Sequence, residues 1–478
     1  MVGQRLSTIV STTAKLPKCD IVPKKYTGPS INELSKTRRE HLNPSIKTYY
    51  SKPLAIHQGH RQWLFDLEGK RYLDMFGGIC TVSVGHAHPK ISEAVTKQLN
   101  TLGHCSNVYY HEKIHEYSKR LAEKLPGDLN VIYFVNSGSE ANDLAILLAR
   151  CYTEKNSVMS LKNCYHGMTY QTMALTSNSC YKYPVTQNPG FYTTMNPDVY
   201  RGLWGGNNCR DSPVQTDRQC ACTDECQAGI KYFEQFVSEL ECNVPRSGLA
   251  AFFAESIQGV GGAVQFPKNY IRKVYGAVKE TGCVFVSDEV QAGFGRTGEH
   301  FWGFESHGIK PDIVTMAKGI GNGFPLAAVA TTTEVAEALT KADHFNTFGG
   351  NPVSCTVGLT VLEIIEEESL QLNSHRVGTH LLLELSKLRD EFSYVGDVRG
   401  KGLMVGVELV QDKGSRKPIE AVKFLRLWEI CREQGLIVGK GGLYGNVLRL
   451  KPPMCITQED ADFAVEVLKN ALSEISNS

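Results

Sequence analysis

Val131-Ile132-Tyr133-Phe134-Val135 runs through Asn136-Ser137-Gly138-Ser139 into Glu140-Ala141-Asn142-Asp143-Leu144-Ala145. The first five residues are β-branched or aromatic and read as a strand. Beyond the turn, Ala141, Leu144, Ala145 and Leu148 fall on one face of a helix. A short Gly/Ser turn between strand and helix offers unpaired backbone N–H groups and the positive end of a helix dipole, which suits a phosphate monoester. Ser and Gly also serve there as plain helix caps, so the turn alone assigns no ligand.

Working outward, residues 249–254, 283–286 and 312–316 are further short apolar runs, each closely followed by a polar or charged residue. Strands alternating with helical patterns predict an α/β fold with a mostly parallel central sheet. Ligands of such sheets gather at the carboxyl ends of the strands. There, Ser287-Asp288-Glu289-Val290 sets a carboxylate after one run, and Met316-Ala317-Lys318-Gly319 sets an amine after another. A lysine that merely ended a buried strand would be costly to desolvate. One motif misleads. Residues 293–298 fit G-x-G-x-x-G, but Asp288 and Glu289 intervene after the strand and the following Glu299-His300-Phe301-Trp302-Gly303 makes a poor helix, so no dinucleotide site is expected.

Residues 353–370 and 378–392 read as helices and 402–410 as a strand, which predicts a second, smaller α+β domain. The domain expectation is a mitochondrial transit peptide and disordered lead over 1–40, a segment over 41–95 packing on the small and large domains, a large domain over 96–350 and a small domain over 351–478.

The 478 residues carry a formal net charge of +1 with no long basic tract, so nucleic acid and anionic membranes are poor candidates for partners. No apolar run approaches the roughly 18 residues that span a bilayer, and a soluble protein is expected. The 15 cysteines are mostly scattered singly, which fits reduced thiols better than a disulfide framework. Cys209, Cys220, Cys222 and Cys226 cluster, and read either as a zinc site or as a polar loop. Lacking paired C-x-x-C spacing, they favour the loop, and no metal is expected. His86 and His88 likewise read as a loop before Pro89. Acidic residues are absent before Asp20, while Arg5, Lys15 and Lys18 punctuate a Ser/Thr-rich run. That composition reads as a mitochondrial transit peptide, against a disordered cytosolic extension.

Several motifs in order carry a family resemblance: Gly85-His86-Ala87-His88-Pro89, Ser137 to Asn142, Tyr165-His166-Gly167, Glu255-Ser256-Ile257-Gln258-Gly259, Asp288-Glu289-Val290-Gln291, Lys318-Gly319-Ile320-Gly321, Phe345 to Pro352, and Asp397-Val398-Arg399-Gly400. From about Tyr49 to the C-terminus the chain resembles the class III aminotransferases, enzymes of pyridoxal phosphate fold type I. Ser256 stands where the family commonly has proline.

The resemblance implies a role for each matching residue. Lys318 would form the Schiff base with pyridoxal 5'-phosphate, and Asp288 would pair with the ring nitrogen and keep the ring an electron sink. Gly138 and Ser139 would hold the phosphate. Tyr165 and Val290 would lie on opposite ring faces, and Gln291 would bond the phenolic oxygen. Thr347 would reach the phosphate of a neighbouring subunit, so a homo-oligomer, at least a dimer with shared sites, is implied. Arg399 would clamp a substrate carboxylate, which a guanidinium grips bidentately, and Glu255 would cover a nearby arginine.

The segments 196–202 and 210–213 resemble family members that aminate glyoxylate in mitochondria. They imply L-alanine as donor, glyoxylate as acceptor and the matrix as location. The alternatives are an amino-phosphate lyase of the same family, which the stretch around Arg449 and Lys451 resembles, and an omega-amino acid transaminase.

Overall fold

The computed structural model describes residues 14–187, 189–205, 210–214, 222 and 226–477. Three strands lead, β1 (Ile56–His60), β2 (Trp63–Asp66) and β3 (Arg71–Asp74), paired antiparallel. The central sheet follows: β4 (Val131–Val135), β5 (Ser157–Leu161), β6 (Phe191–Thr194), β7 (Leu249–Glu255), β8 (Val284–Asp288), β9 (Ile313–Met316) and β10 (Ala327–Thr331). Its order is β4-β10-β9-β8-β7-β5-β6. Only β10 runs against its neighbours. Every residue of β7 and of β8 is buried, as expected of parallel strands covered on both faces. The helix Gly138–Thr153 buries Ala141, Leu144, Ala145 and Leu148, and Ser137 caps it by accepting from the Glu140 N–H at 3.2 Å.

Two strand ends differ from expectation in a way that matters. Strand β7 extends to Glu255 and β8 to Asp288, so both carboxylates occupy the last strand position and stand side by side in register. The ladder continues because β8 pairs onward with β9 at Asp288 and Thr315.

The C-terminal part holds β11 (Val395–Lys401), β12 (Met404–Leu409), β13 (Leu436–Ile437), β14 (Gly439–Gly441) and β15 (Val447–Leu450), four of them in the antiparallel order β11-β12-β15-β14. The second long helix begins at Leu370, not at Gly378. Gly378 lies inside it at a close approach: a Cβ there would come within 2.2 Å of the Gly402 backbone. The glycine marks packing, not a break.

The early segment belongs to both halves. Strand β3 pairs parallel with β13. Meanwhile Ser83 Oγ donates to Gly319 O at 2.6 Å, and Asn322 Oδ1 accepts from Val84 N at 2.9 Å. The turn after Lys318 is thereby pinned from outside the central sheet. The lead is more ordered than its composition suggested. Ala14, Leu16, Cys19 and Ile21 pack against the core, and Ile31–His41 is a helix with a capping box between Ser30 and Glu33. Residues 1–13 lie outside the described residues, as do Cys209 and Cys220 of the cysteine cluster. Residues 293–298 form turns, with Gly298 (φ +82°) against the His375 backbone, and open no helix.

Candidate active site

The carboxyl ends of β4, β5, β7, β8 and β9 surround one cavity lined by Gly138, Ser139, Asn142, Tyr165, His166, Gly167, Glu255, Asp288, Val290, Gln291 and Lys318. Of the ten residues expected in the site, eight line it; Thr347 and Arg399 do not.

Asp288 is the most heavily anchored group. Its Oδ2 accepts from Asn142 Nδ2 at 2.9 Å and from His166 Nδ1 at 2.7 Å, and its Oδ1 accepts from Val290 N at 3.1 Å. Thr315 Oγ1 donates to Asn142 Oδ1 at 2.8 Å, which fixes which end of that amide faces the carboxylate. His166 is fully buried. Burial opposes its charge, but Cys164 and Asp288 outweigh that and hold the imidazole well above its ordinary value. Three donors, one of them on a residue whose proton affinity is raised, therefore converge on this buried carboxylate.

Lys318 stands on the opposite side of this balance. Among the described residues its Nζ has no hydrogen bond or ion pair. Burial lowers the amine below the ordinary lysine value; Cys80 and Asp288 oppose this, and Arg449 adds to it. Its backbone is left-handed, φ +53°, a conformation that costs a non-glycine residue about 1 to 2 kcal/mol. An unpaired amine of lowered basicity on a constrained backbone is equipped for Schiff-base chemistry.

At the other end, the first turn of the helix Gly138–Thr153 opens on the cavity. Gly167 (φ +136°) packs so tightly that a Cβ would lie 2.6 Å from Ser139 Oγ, and that Oγ accepts from Met168 N at 3.1 Å. A Cβ on Gly138 would touch Val290 at 3.2 Å. Tyr165 meets Tyr181 edge to face, ring centroids 4.8 Å apart. Gln291 Oε1 accepts from Lys451 Nζ at 3.0 Å.

These groups fit pyridoxal phosphate. A helix N-terminus suits its phosphate, a fixed carboxylate suits its ring nitrogen, and an unpaired amine suits its aldehyde.

Other expected residues are placed as follows. Glu255 accepts from Tyr165 N at 3.2 Å and Gly259 N at 2.7 Å, with burial raising its carboxyl above the usual value. Arg399 lies outside this cavity. Its Nη1 is bonded to Asp397 at 2.9 Å and Glu408 at 2.7 Å, its Nε donates to Gly262 O, and it lines a neighbouring cavity. Thr347 is exposed, beside the exposed Phe345 and Phe348. His86 Nε2 bonds Asp74 Oδ2 at 2.8 Å and His88 Nε2 bonds Glu368 Oε1 at 2.9 Å. Ser256, in the proline position, donates to Glu289 Oε1 at 2.5 Å.

Sequence reasoning gave no role to His166 and Asn142, which line the cavity, and named Arg449 and Lys451 only for the lyase alternative. Arg449 is buried, donates to Lys440 O at 3.0 Å and Gly259 O at 3.3 Å, and has no ion pair among the described residues. The available signal for Asn142 was a polar residue among the buried positions of an apolar helix. For Arg449 and Lys451 it was two cations in the apolar β15 stretch.

A seven-stranded, mostly parallel sheet with a strand-end lysine facing an anchored aspartate defines a pyridoxal-phosphate-dependent transferase. The chain belongs to the aminotransferase class-III family, whose model matches residues 46–472, and it is an aminotransferase. It is 52% identical over 465 residues to human mitochondrial alanine–glyoxylate aminotransferase 2, covering 97% of this chain and 90% of that protein. Among solved structures, it resembles a Bacillus anthracis aminotransferase (TM-score 0.82, 35% identity, 93% and 98% coverage). It also resembles an Arthrobacter phospholyase in complex with phosphoethanolamine (TM-score 0.83, 31% identity, 92% and 99% coverage).

Proposed function

We propose that the enzyme moves the amino group of L-alanine to glyoxylate, giving pyruvate and glycine, and does so in the mitochondrial matrix. The observation that carries the chemistry is the unpaired Lys318 amine in one cavity with the triply anchored Asp288. The human relative's name supports the substrates and the compartment. No helix among the described residues is long and apolar enough to cross a membrane.

Bound pyridoxal phosphate supplies an electron sink for the bond-breaking at the substrate Cα. Lys318 Nζ would hold the cofactor, and as a free amine would take the proton from the substrate Cα. Asp288, backed by His166 and Asn142, would keep the ring nitrogen protonated. Gly138 and Ser139 would hold the phosphate, Tyr165 and Val290 would bracket the ring, and the Gln291 NH2 would donate to the phenolic oxygen. Arg449 is a second candidate for the substrate carboxylate, being buried, without an ion pair among the described residues and within electrostatic reach of Lys318.

A donor and acceptor panel tests this. Alanine with glyoxylate should give equimolar pyruvate and glycine, and Arg449→Leu should raise the KM for alanine about tenfold or more, the loss of one charge-assisted contact. The rival lyase reading draws on two buried cations, Arg449 and Lys451, near Lys318. Phosphate release from phosphoethanolamine without any keto acid would support the lyase and sink the transaminase reading; preference for an omega-amino donor would move the assignment to that class.

The active unit is proposed to be a dimer. Val108, Tyr109, Tyr110, Phe345 and Phe348 are each at least 60% exposed. Their segments are joined by Asn107 Nδ2 donating to Gly349 O at 2.8 Å. An apolar patch of this kind calls for a partner surface, and a second copy would bring its Thr347 to this chain's phosphate. Mixing inactive Lys318→Ala with Thr347→Ala at limiting cofactor should restore activity towards half the wild-type value per heterodimer. No recovery after verified subunit exchange would put both residues in one chain's site.

A further inference from the structure

Lys451 follows β15 and is fully buried, yet among the described residues its ammonium donates to one group only, Gln291 Oε1 at 3.0 Å. Cys80 Sγ approaches the same oxygen at 3.7 Å. Cys80 ends a run of four left-handed residues, with φ +54°, +58°, +67° and +61° from Gly77 to Cys80. A Cβ on Gly77 would come within 3.0 Å of the Lys451 carbonyl oxygen. The strained turn is therefore pressed against the Lys451 backbone, and Lys451 N donates at 2.7 Å to the carbonyl oxygen of Met75, the residue after β3. Two separate parts of the chain thus converge on one carboxamide oxygen of a third.

We propose that Lys451 is a positioning residue, which by donating to Gln291 Oε1 turns the carboxamide so that its NH2 group faces the cavity. The two ends of a glutamine amide are nearly equal in size, so packing alone does not choose between them. An ammonium has donors and no acceptor, and only the oxygen end can face it. Gln291 Nε2 is then presented to the cavity as a donor. This rests on the reading of Gln291 as the partner of the cofactor's phenolic oxygen.

The lock also responds to pH. Burial pushes the Lys451 amine down to about 7; Cys80 opposes, Arg449 adds, Glu255 opposes and Lys318 adds. Below that pH the bond is charge-assisted and the orientation firm. Above it the neutral amine can also accept, and the preference for the amide oxygen weakens.

Apoenzyme titrated with pyridoxal phosphate, and the visible absorption band of the bound cofactor followed from pH 6 to 9, together test the lock. Lys451→Met should weaken cofactor binding about tenfold, as for one hydrogen bond to a charged group, and should remove a band change centred near pH 7. Lys451→Gln, which keeps a donor without the charge, should regain much of the affinity but not the pH-dependent band change. Gln291→Ala should lose as much as Lys451→Met, and the double variant no more than either, because one residue acts through the other.

Wild-type affinity and band in Lys451→Met, with Gln291→Ala impaired, would overturn the lock while leaving Gln291's role intact. A silent Gln291→Ala would overturn both. Additive losses would show Lys451 acting independently and also refute the lock. Thermal melting of the apo variants checks folding; if Lys451→Met does not fold, the pH-independence of Lys451→Gln decides.

Discussion

Lys318→Ala is expected to bind pyridoxal phosphate without a covalent link and to lose turnover by about a thousandfold or more. A positioned acid–base group alone is worth roughly 10² to 10⁴ in rate, and Lys318 would also provide the cofactor's anchor. Borohydride reduction followed by peptide mapping gives the measurement. In the wild type the reduced cofactor should sit on Lys318, and in the variant on no lysine. Lys451 is the competing amine, since it is buried nearby and lowered to about 7. A reduced cofactor found on Lys451 in the variant would sink the assignment.

Two further outcomes separate catalysis from folding. Added small primary amines should restore part of the rate by replacing the missing base. The apo variant should melt no lower than the wild type, because the lost amine is half-buried, disfavoured in its charged form by desolvation, and has no hydrogen bond or ion pair among the described residues. Groups that strain a fold for the sake of chemistry commonly give back stability when removed.

How far the sequence could be read follows from the range of each interaction. The β4–turn–helix unit is a local pattern of apolar period and cap, and it appears where the residues indicated. Lys318 and Asp288 were legible because a charge directly after an apolar run is conspicuous along one dimension. His166 and Asn142 were quoted within their motifs but carried no role, since their partner Asp288 is 122 and 146 residues away. Arg399 was quoted beside Asp397, but only the fold brings Glu408 onto it across the β11–β12 pair. The same buried ions hid β11 itself, because Asp397 and Arg399 break the apolar run of a strand whose first six residues are all buried. Thr347 stays outside any single-chain reading, for its proposed partner lies in another copy.

Asp288→Asn is expected to retain the cofactor but slow the half-reaction with alanine at least about a hundredfold, equivalent to roughly 2.7 kcal/mol of transition-state stabilisation. The geometry explains why so small a change should be so damaging. Both donors on Oδ2, the Asn142 amide and the His166 Nδ1–H, point at one atom, while Oδ1 receives the Val290 N–H. If the new amide puts its NH2 in the place of Oδ2, it opposes two donors. If it turns over, its NH2 opposes the Val290 N–H and offers a donor to the cavity where the ring nitrogen needs an acceptor. Each orientation leaves a buried mismatch of about 1 to 3 kcal/mol, and both lose the negative charge that keeps the ring nitrogen protonated. His166 adds a second reading of the same experiment. Its raised proton affinity depends partly on Asp288, so in the variant the imidazole should become neutral and its ring signals titrate at lower pH by NMR. Rapid-mixing absorbance of the half-reaction would measure the rate. A variant within a few fold of wild type, with His166 still charged, would show that the negative charge on Asp288 is not what drives the proton transfer.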